Sequence, residues 1–175
     1  MKNYLLVFVF ITGFLFVQGQ TAVRLNIVLN HVQNLTVNAA QETTTLTYNT
    51  VEDYSKGVEV LQKEHLNVFS TSPFVVKVRV ENQDFVQIGA DQQNRMRLPN
   101  ISVKATSAEQ GNGMILEQKI LSLQESALIT ADNPAFNHKF DITYKGPGDN
   151  EMIKYSEFGK ITTFTNVVMY SIEAK

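Results

Sequence analysis

The sequence predicts an all-β protein. Three observations lead there: apolar residues recur at every second position in one segment after another, short Gly, Pro, Asn and Ser clusters separate those segments, and strand-like and helix-like patterns do not alternate as they do in βαβ proteins. A period of two places successive side chains on opposite faces of a sheet, so each such segment has an apolar face and a wetter one.

Residues 1–19 stand apart from this pattern. Lys2 precedes a largely apolar run from Tyr4 to Val17, and the small residue Gly19 follows it. This is the charged start, apolar middle and small-residue exit of a secretory signal peptide, with cleavage expected after Gly19. An uncleaved membrane anchor is the competing reading, but the run is shorter than the ~20 residues a spanning helix needs. The remainder, 20–175, is expected to be a single domain.

Alternation begins at once, with Val23, Leu25, Ile27 and Leu29 spaced by Arg24, Asn26 and Val28. It resumes at Val32, Leu35 and Val37. The run Thr43, Thr44, Thr45, Leu46, Thr47, Tyr48 reads as a strand, because Thr and Tyr favour a pleated surface. Residues 53–57 read as a turn, and 58–61 and 66–70 as short strands. A helix through Val51, Tyr54, Val58 and Leu61 has suitable spacing, but Gly57 in its interior would cost about 1 kcal/mol relative to Ala, so strands are preferred. Phe74, Val76, Val78 and Val80 mark the clearest strand, with Lys77 and Arg79 on its other face. Residues 81–100 read as a long polar connection with a short strand near 85–88. Ile101, Val103 and Ala105 alternate again, and Gly111, Asn112 and Gly113 signal a turn.

Leu116, Ile120, Leu123 and Ala127 have helical spacing among good helix formers. Residues 115–127 therefore fit either state on pattern alone. Phe136, His138, Phe140, Ile142 and Tyr144 alternate cleanly up to the turn Gly146, Pro147, Gly148. The last segment places Val168, Tyr170, Ile172 and Ala174 on one face. Seven to nine short strands of this kind indicate two packed sheets, an immunoglobulin-like β-sandwich.

Composition narrows the function. The chain has no cysteine, so it has neither disulfides nor a cysteine-linked lipid anchor, and a mature domain of about 155 residues must hold together by core burial alone. Lys and Arg number 15 against 17 Asp and Glu, and loss of Lys2 with the leader makes the balance more acidic. No run of like charges exceeds two residues, and nucleic acid is not an expected partner because phosphate binding needs a basic patch.

The search for chemistry finds little. His31, His65 and His138 are too far apart for a helical zinc site, and no metal or other cofactor is expected. His138, on the apolar face of its segment, reads as a core histidine. No Gly-x-Ser-x-Gly elbow or phosphate-cradling glycine pattern occurs. Asp149, Asn150 and Glu151 lack the alternating acidic pattern of a calcium loop and read as a solvated hairpin tip. Asn34-Leu35-Thr36 and Asn100-Ile101-Ser102 are formal glycosylation acceptors of low specificity. No catalytic residue is proposed, and the expectation is a protein that is not an enzyme.

The two terminal segments carry more information. A strand edge offers unpaired N–H and C=O groups that recruit other strands, and exported proteins use this in donor-strand complementation. Val23, Leu25, Ile27 and Leu29 are the donor candidates. Phe140, Ile142, Val168, Tyr170 and Ile172 are the core and acceptor candidates.

The stretches Leu121-Ser122-Leu123, 127–131 and Phe140-Asp141-Ile142-Thr143-Tyr144-Lys145, with the closing 168–172, resemble the last third of bacterial fimbrial and spore-coat-protein-U-like subunits, a pilin-like group of secreted β-sandwiches. The resemblance favours strands over helix in 120–130. It implies an exported structural subunit, located in the periplasm, on the cell surface or outside the cell. Its partners would be copies of itself or related subunits and a periplasmic chaperone, with no membrane span once the leader is removed. Many subunits of that group carry a disulfide, which this chain lacks. The alternative expectation is a monomeric binding module that holds a glycan or peptide in its loops, at 81–100 and at 145–160 with Tyr155 and Phe158. A small outer-membrane barrel fits less well, because its strands would be about 9–11 residues long.

Overall fold

The computed structural model describes residues 22–89, 94–107 and 113–175. The predicted leader and the first two residues of the Gly111, Asn112, Gly113 turn lie outside them. Strands make up 47% of the structure and helix 8%, in several antiparallel sheets, so the all-β prediction holds.

Twelve strands occur among the described residues: β1 (Gln33–Val37), β2 (Glu59–Ser70), β3 (Phe74–Val80), β4 (Asp84–Gln87), β5 (Arg95–Arg97), β6 (Ser102–Thr106), β7 (Met114–Leu116), β8 (Gln118–Ile120), β9 (Ser126–Ala131), β10 (Ala135–Lys145), β11 (Phe164–Thr165) and β12 (Val168–Ala174). The count exceeds the seven to nine expected because several have only two to four residues, too few to show alternation in sequence. One sheet runs β1-β2-β10-β6-β8, a second runs β12-β3-β9-β7, and a small third runs β11-β4-β5.

The two large sheets share one core. Leu66 and Val68 of β2, Val103 and Ala105 of β6, and Phe140 and Ile142 of β10 meet Phe74, Val76, Val78 and Val80 of β3 and Leu128, Ile129 and Ala131 of β9. These are the alternating residues of the sequence, and each large side chain fully removed from water contributes about 1.5–3 kcal/mol. Residues 115–127 hold short strands and connecting turns instead of a helix, with β7 paired to β9 and β8 to β6.

Four local expectations are corrected. Residues 51–56 form a helix, α1 (Val51–Lys56), and Gly57 ends it instead of interrupting it. Thr50 Oγ1 accepts from the Asp53 N–H while the Asp53 carboxylate accepts from the Thr50 N–H, a reciprocal cap that the sequence holds as Thr-x-x-Asp. Residues 58–61 and 66–70 belong to one strand, β2. The apparent break is a bulge at Glu64 (φ +51°), whose N–H donates to Asp141 Oδ1 at 2.7 Å, and it leaves both His65 and Leu66 buried. The 43–48 run is not part of any strand. It is held by side chains, with Leu46 against the core and the Tyr48 hydroxyl donating to the Pro147 carbonyl at 2.9 Å. Propensity marked a pleated surface there, but propensity does not supply a neighbour to pair with. Finally, a register shift between Ala135 and His138 turns Phe136 outward, away from the face that holds His138 and Phe140.

The 146–150 turn lies directly on the end of α1. Gly146 N–H donates to Val58 C=O, Asp149 N–H to Ser55 C=O and Asn150 N–H to Tyr54 C=O, at 2.8–2.9 Å. Gly57 (φ +84°, ψ 172°) occupies backbone space open almost only to glycine, and a Cβ there would run into the Gly146 carbonyl oxygen. Gly57→Ala is expected to destabilise the fold by at least ~1–3 kcal/mol, the usual cost of such a conformation. Urea unfolding of the two proteins measures this, and equal midpoints would show that the turn relaxes freely.

Candidate functional site

Residues 22–31 lie in no strand and rest on no sheet. The donor candidates Val23, Leu25, Ile27 and Leu29 are 93%, 83%, 77% and 89% exposed. The alternation is that of a half-buried strand, yet within this chain the segment buries nothing. The body begins where His31 Nε2 meets Ser72 Oγ at 2.8 Å and Val32 exchanges hydrogen bonds with Thr71.

Two strand edges lie near that exit. In an antiparallel ladder, residues alternately turn their backbone groups toward the partner strand and away from it. Glu81 N–H donates to Val167 C=O at 2.9 Å, and Lys175 N–H donates to Pro73 C=O at 3.1 Å. Odd-numbered residues of β12 therefore face β3. The N–H and C=O groups of Val168, Tyr170, Ile172 and Ala174 point to the outer edge, where no backbone hydrogen bond among the described residues engages them. The same reasoning applies to β1. Thr71 N–H donates to Val32 C=O and Asn38 N–H to His65 C=O, so Gln33, Leu35 and Val37 turn their backbone groups away from β2. β1 and β12 approach to within 8 Å between Cα atoms without pairing. Between these edges, Leu35, Val168, Tyr170 and Ile172 contact the core but remain only half-buried.

The acceptor candidates thus separate into two groups. Val168, Tyr170 and Ile172 sit on the edge strand β12, whereas Phe140 and Ile142 lie on β10, inside its sheet and fully enclosed. The second pair lies within the core, in keeping with its candidacy as core-lining residues. Leu35 has the same exposure and edge position as the β12 residues, and sequence reasoning missed it. Its signal was present in the alternation of 32–37, but which edge β1 would occupy was not.

A buried polar chain anchors β12 across the two sheets. Gln41 Nε2 donates to the Lys63 carbonyl at 2.9 Å, which leaves Gln41 Oε1 to accept from His65 Nδ1 at 2.9 Å. His65 Nε2 then accepts from the Tyr144 hydroxyl at 3.0 Å, and Tyr144 Oη accepts from the Tyr170 hydroxyl at 2.6 Å. Burial holds the His65 imidazole below its ordinary range. Burial likewise pushes the Tyr144 hydroxyl up to about 12, and raises Tyr170 as well, with Tyr144 adding to that rise. All three groups are neutral at pH 7. The polar groups of the chain are engaged with one another, a geometry that suits positioning.

Other candidates take plainer places. His138 is 9% exposed, with Ser107 Oγ at 3.0 Å from its Nε2, a core histidine as expected. Among the described residues no cluster of three or more His, Cys, Asp or Glu could hold a metal ion, and no helix is long and apolar enough to cross a membrane. In the loops singled out for ligand binding, Tyr155 packs edge-on against Phe164 with centroids 6.0 Å apart, while Phe158 is fully exposed. Residues 84–87 and 95–97 of the predicted 81–100 connection pair as β4 and β5. No protein-family model matches the chain, and no curated protein matches it significantly.

The polar chain makes stability depend on pH at both ends. The His65 value falls below 6.5 on folding, so the unfolded chain binds the proton more readily, and stability drops as pH falls from about 6.5 through the lower folded value. Tyr144 rises from 10.0 to about 12, so stability drops as pH climbs through that interval. Thermal melts from pH 4 to 12 should show both declines, with the acid one reduced in His65→Gln. Tyr144→Phe strands the imidazole nitrogen and the Tyr170 hydroxyl, and a loss of about 1–3 kcal/mol is expected at pH 7.

Proposed function

We propose that this protein is an exported, non-enzymatic structural subunit of fimbrial or surface-coat type, a single immunoglobulin-like sandwich that assembles by adding residues 22–31 of one copy to the free edge of β12 in the next. Residues 1–19 direct its export to the periplasm, cell surface or exterior and are removed. The chain is pilin-like in this reading, with related subunits and a periplasmic chaperone as the other partners.

One observation carries the proposal: a segment with apolar residues at Val23, Leu25, Ile27 and Leu29 stands in solvent, and the same protein has an edge strand, β12, with only one hydrogen-bonded neighbour among the described residues. The chemistry of the two matches. β-strand addition takes backbone hydrogen bonds from the edge and specificity from alternate side chains placed over apolar ground. Leu35, Val168, Tyr170 and Ile172 provide that ground. Each donor side chain that becomes buried contributes about 1.5–3 kcal/mol, and the half-buried acceptor residues gain cover at the same time.

The test is assembly of the processed protein. Sizing chromatography and electron microscopy are expected to show oligomers or fibres for residues 20–175 and monomers when residues 20–30 are removed. Leu25→Asp with Ile27→Asp should have the same effect without shortening the chain. Oligomers that persist in both variants would refute the donor role. A synthetic peptide of residues 22–31 should bind the shortened protein and raise its melting temperature, which separates loss of assembly from loss of folding.

A further inference from the structure

On the outer face of the β1-β2-β10-β6-β8 sheet, away from the core, lies an open hollow of about 430 Å³ bordered by Val32, Asn34, Asn67, Phe69, Phe136 and Asn137. Its volume falls in the ~300–1,000 Å³ range of small-ligand sites. Three features mark it as more than surface relief. First, Phe136 is 84% exposed and stands edge-on to Phe69, with centroids 5.7 Å apart. It is held there by the β10 register shift, at which Asn137 adopts φ +52°. Bulges of this kind re-aim side chains, and a left-handed asparagine costs less than another non-glycine residue would. Second, the Asn67 amide donates to Asn137 Oδ1 at 2.6 Å, yet Asn67 Oδ1 is shielded from water and has no hydrogen-bond partner. Native proteins leave few such acceptors unmatched, and this one belongs to a residue lining the hollow. Third, none of the six lining residues is ionisable.

We infer that this hollow binds a neutral sugar, with Phe136 and Phe69 receiving the C–H face of a pyranose ring and Asn34, Asn67 and Asn137 pairing with its hydroxyls. The apolar face of a pyranose presents weakly positive hydrogens that suit the negative face of an aromatic ring. Its hydroxyls both donate and accept, and only side-chain amides do both here, from either end of one group. A charged sugar or a phosphate would find no counter-charge in the hollow, and a purely apolar peptide would leave three amides without partners. The site lies on a sheet face, not in the loops, and does not depend on β12 or on residues 22–31.

The experiment is a titration of the processed protein with neutral hexose and N-acetylhexosamine oligosaccharides, read by saturation-transfer NMR and calorimetry. Binding that does not change with salt is expected. Phe136→Ala and Asn137→Gly, which spare the core and the backbone conformation, should each weaken it by about tenfold or more, the scale of a central contact. Sizing chromatography of both variants should match the parent. Three outcomes would overturn the inference: no neutral sugar bound at millimolar concentration, binding unaffected by both variants, or saturation of the hollow by an apolar peptide instead. Loss of assembly in Phe136→Ala would identify the hollow as a contact between copies and would also overturn it.

Discussion

The structure depends on a single apolar layer between two sheets. No cysteine is present to brace the chain, so the layer alone must offset the conformational entropy of ordering it. β2 and β10, the longest strands, supply its centre, and β3 and β9 close it from the other side. Rigidity in that layer is what allows the periphery to be incomplete. β12 has one hydrogen-bonded neighbour, and its inner residues are only half-buried. It is kept in register by its full ladder with β3 and by the hydrogen bond from Tyr170 to Tyr144, which reaches across to the opposite sheet. An edge fixed in this way can serve as a template.

The four outer edges of the two large sheets are not equivalent. β7 and β8 have three residues each, too few to guide another strand. Short edges are one of the ways proteins avoid unwanted pairing. β12 has seven residues, carries no proline and keeps its charge at Glu173, near its end. β1, with five, lies beside it and contributes Leu35 to the same half-covered ground. Among the described residues, the longest free edge of the large sheets thus coincides with a place where core residues are only half-covered.

Period-two alternation made much of this legible. It located β3, β6, β10 and β12 and placed Val76, Val103, Phe140 and Ile142 in the core, because in a sheet buried on one face the pattern is the fold. Three kinds of feature escaped it. The irregularity at Phe136–Asn137 inserts one extra residue and the one around Glu64 inserts two, and such insertions depend on partners distant in sequence, such as Asp141. Gly57 was visible as a helix-breaking residue, but whether it interrupts or ends a helix is decided by the Thr50 cap and by the 146–150 turn packed against it. The edge positions of β1 and β12 were beyond reach as well, since strand order is a property of the assembled sheets. The candidate site was therefore half legible: the donor pattern stands in the sequence, while Leu35 and the separation of Val168, Tyr170 and Ile172 from the enclosed Phe140 and Ile142 do not.

Residues 22–31 gain their meaning from what they fail to do. A segment meant to remain in water is usually polar, because apolar side chains there promote non-specific association. Here Val23, Leu25, Ile27 and Leu29 are large and apolar, with Arg24, Asn26 and Val28 between them. An added strand needs that arrangement: one face toward a core, one toward solvent. Ordering such a segment costs about 1–2 kcal/mol of backbone entropy per residue, comparable to what a buried side chain returns at every second position. Side-chain burial alone therefore leaves little margin. The balance tips only if backbone groups that already point outward on a fixed strand accept the new hydrogen bonds, and if the residues beneath lose their remaining exposure in the same step. The β12 edge meets both conditions. A flexible loop would meet neither, which is why a rigid, incomplete edge and a solvent-exposed alternating segment make physical sense as parts of one device.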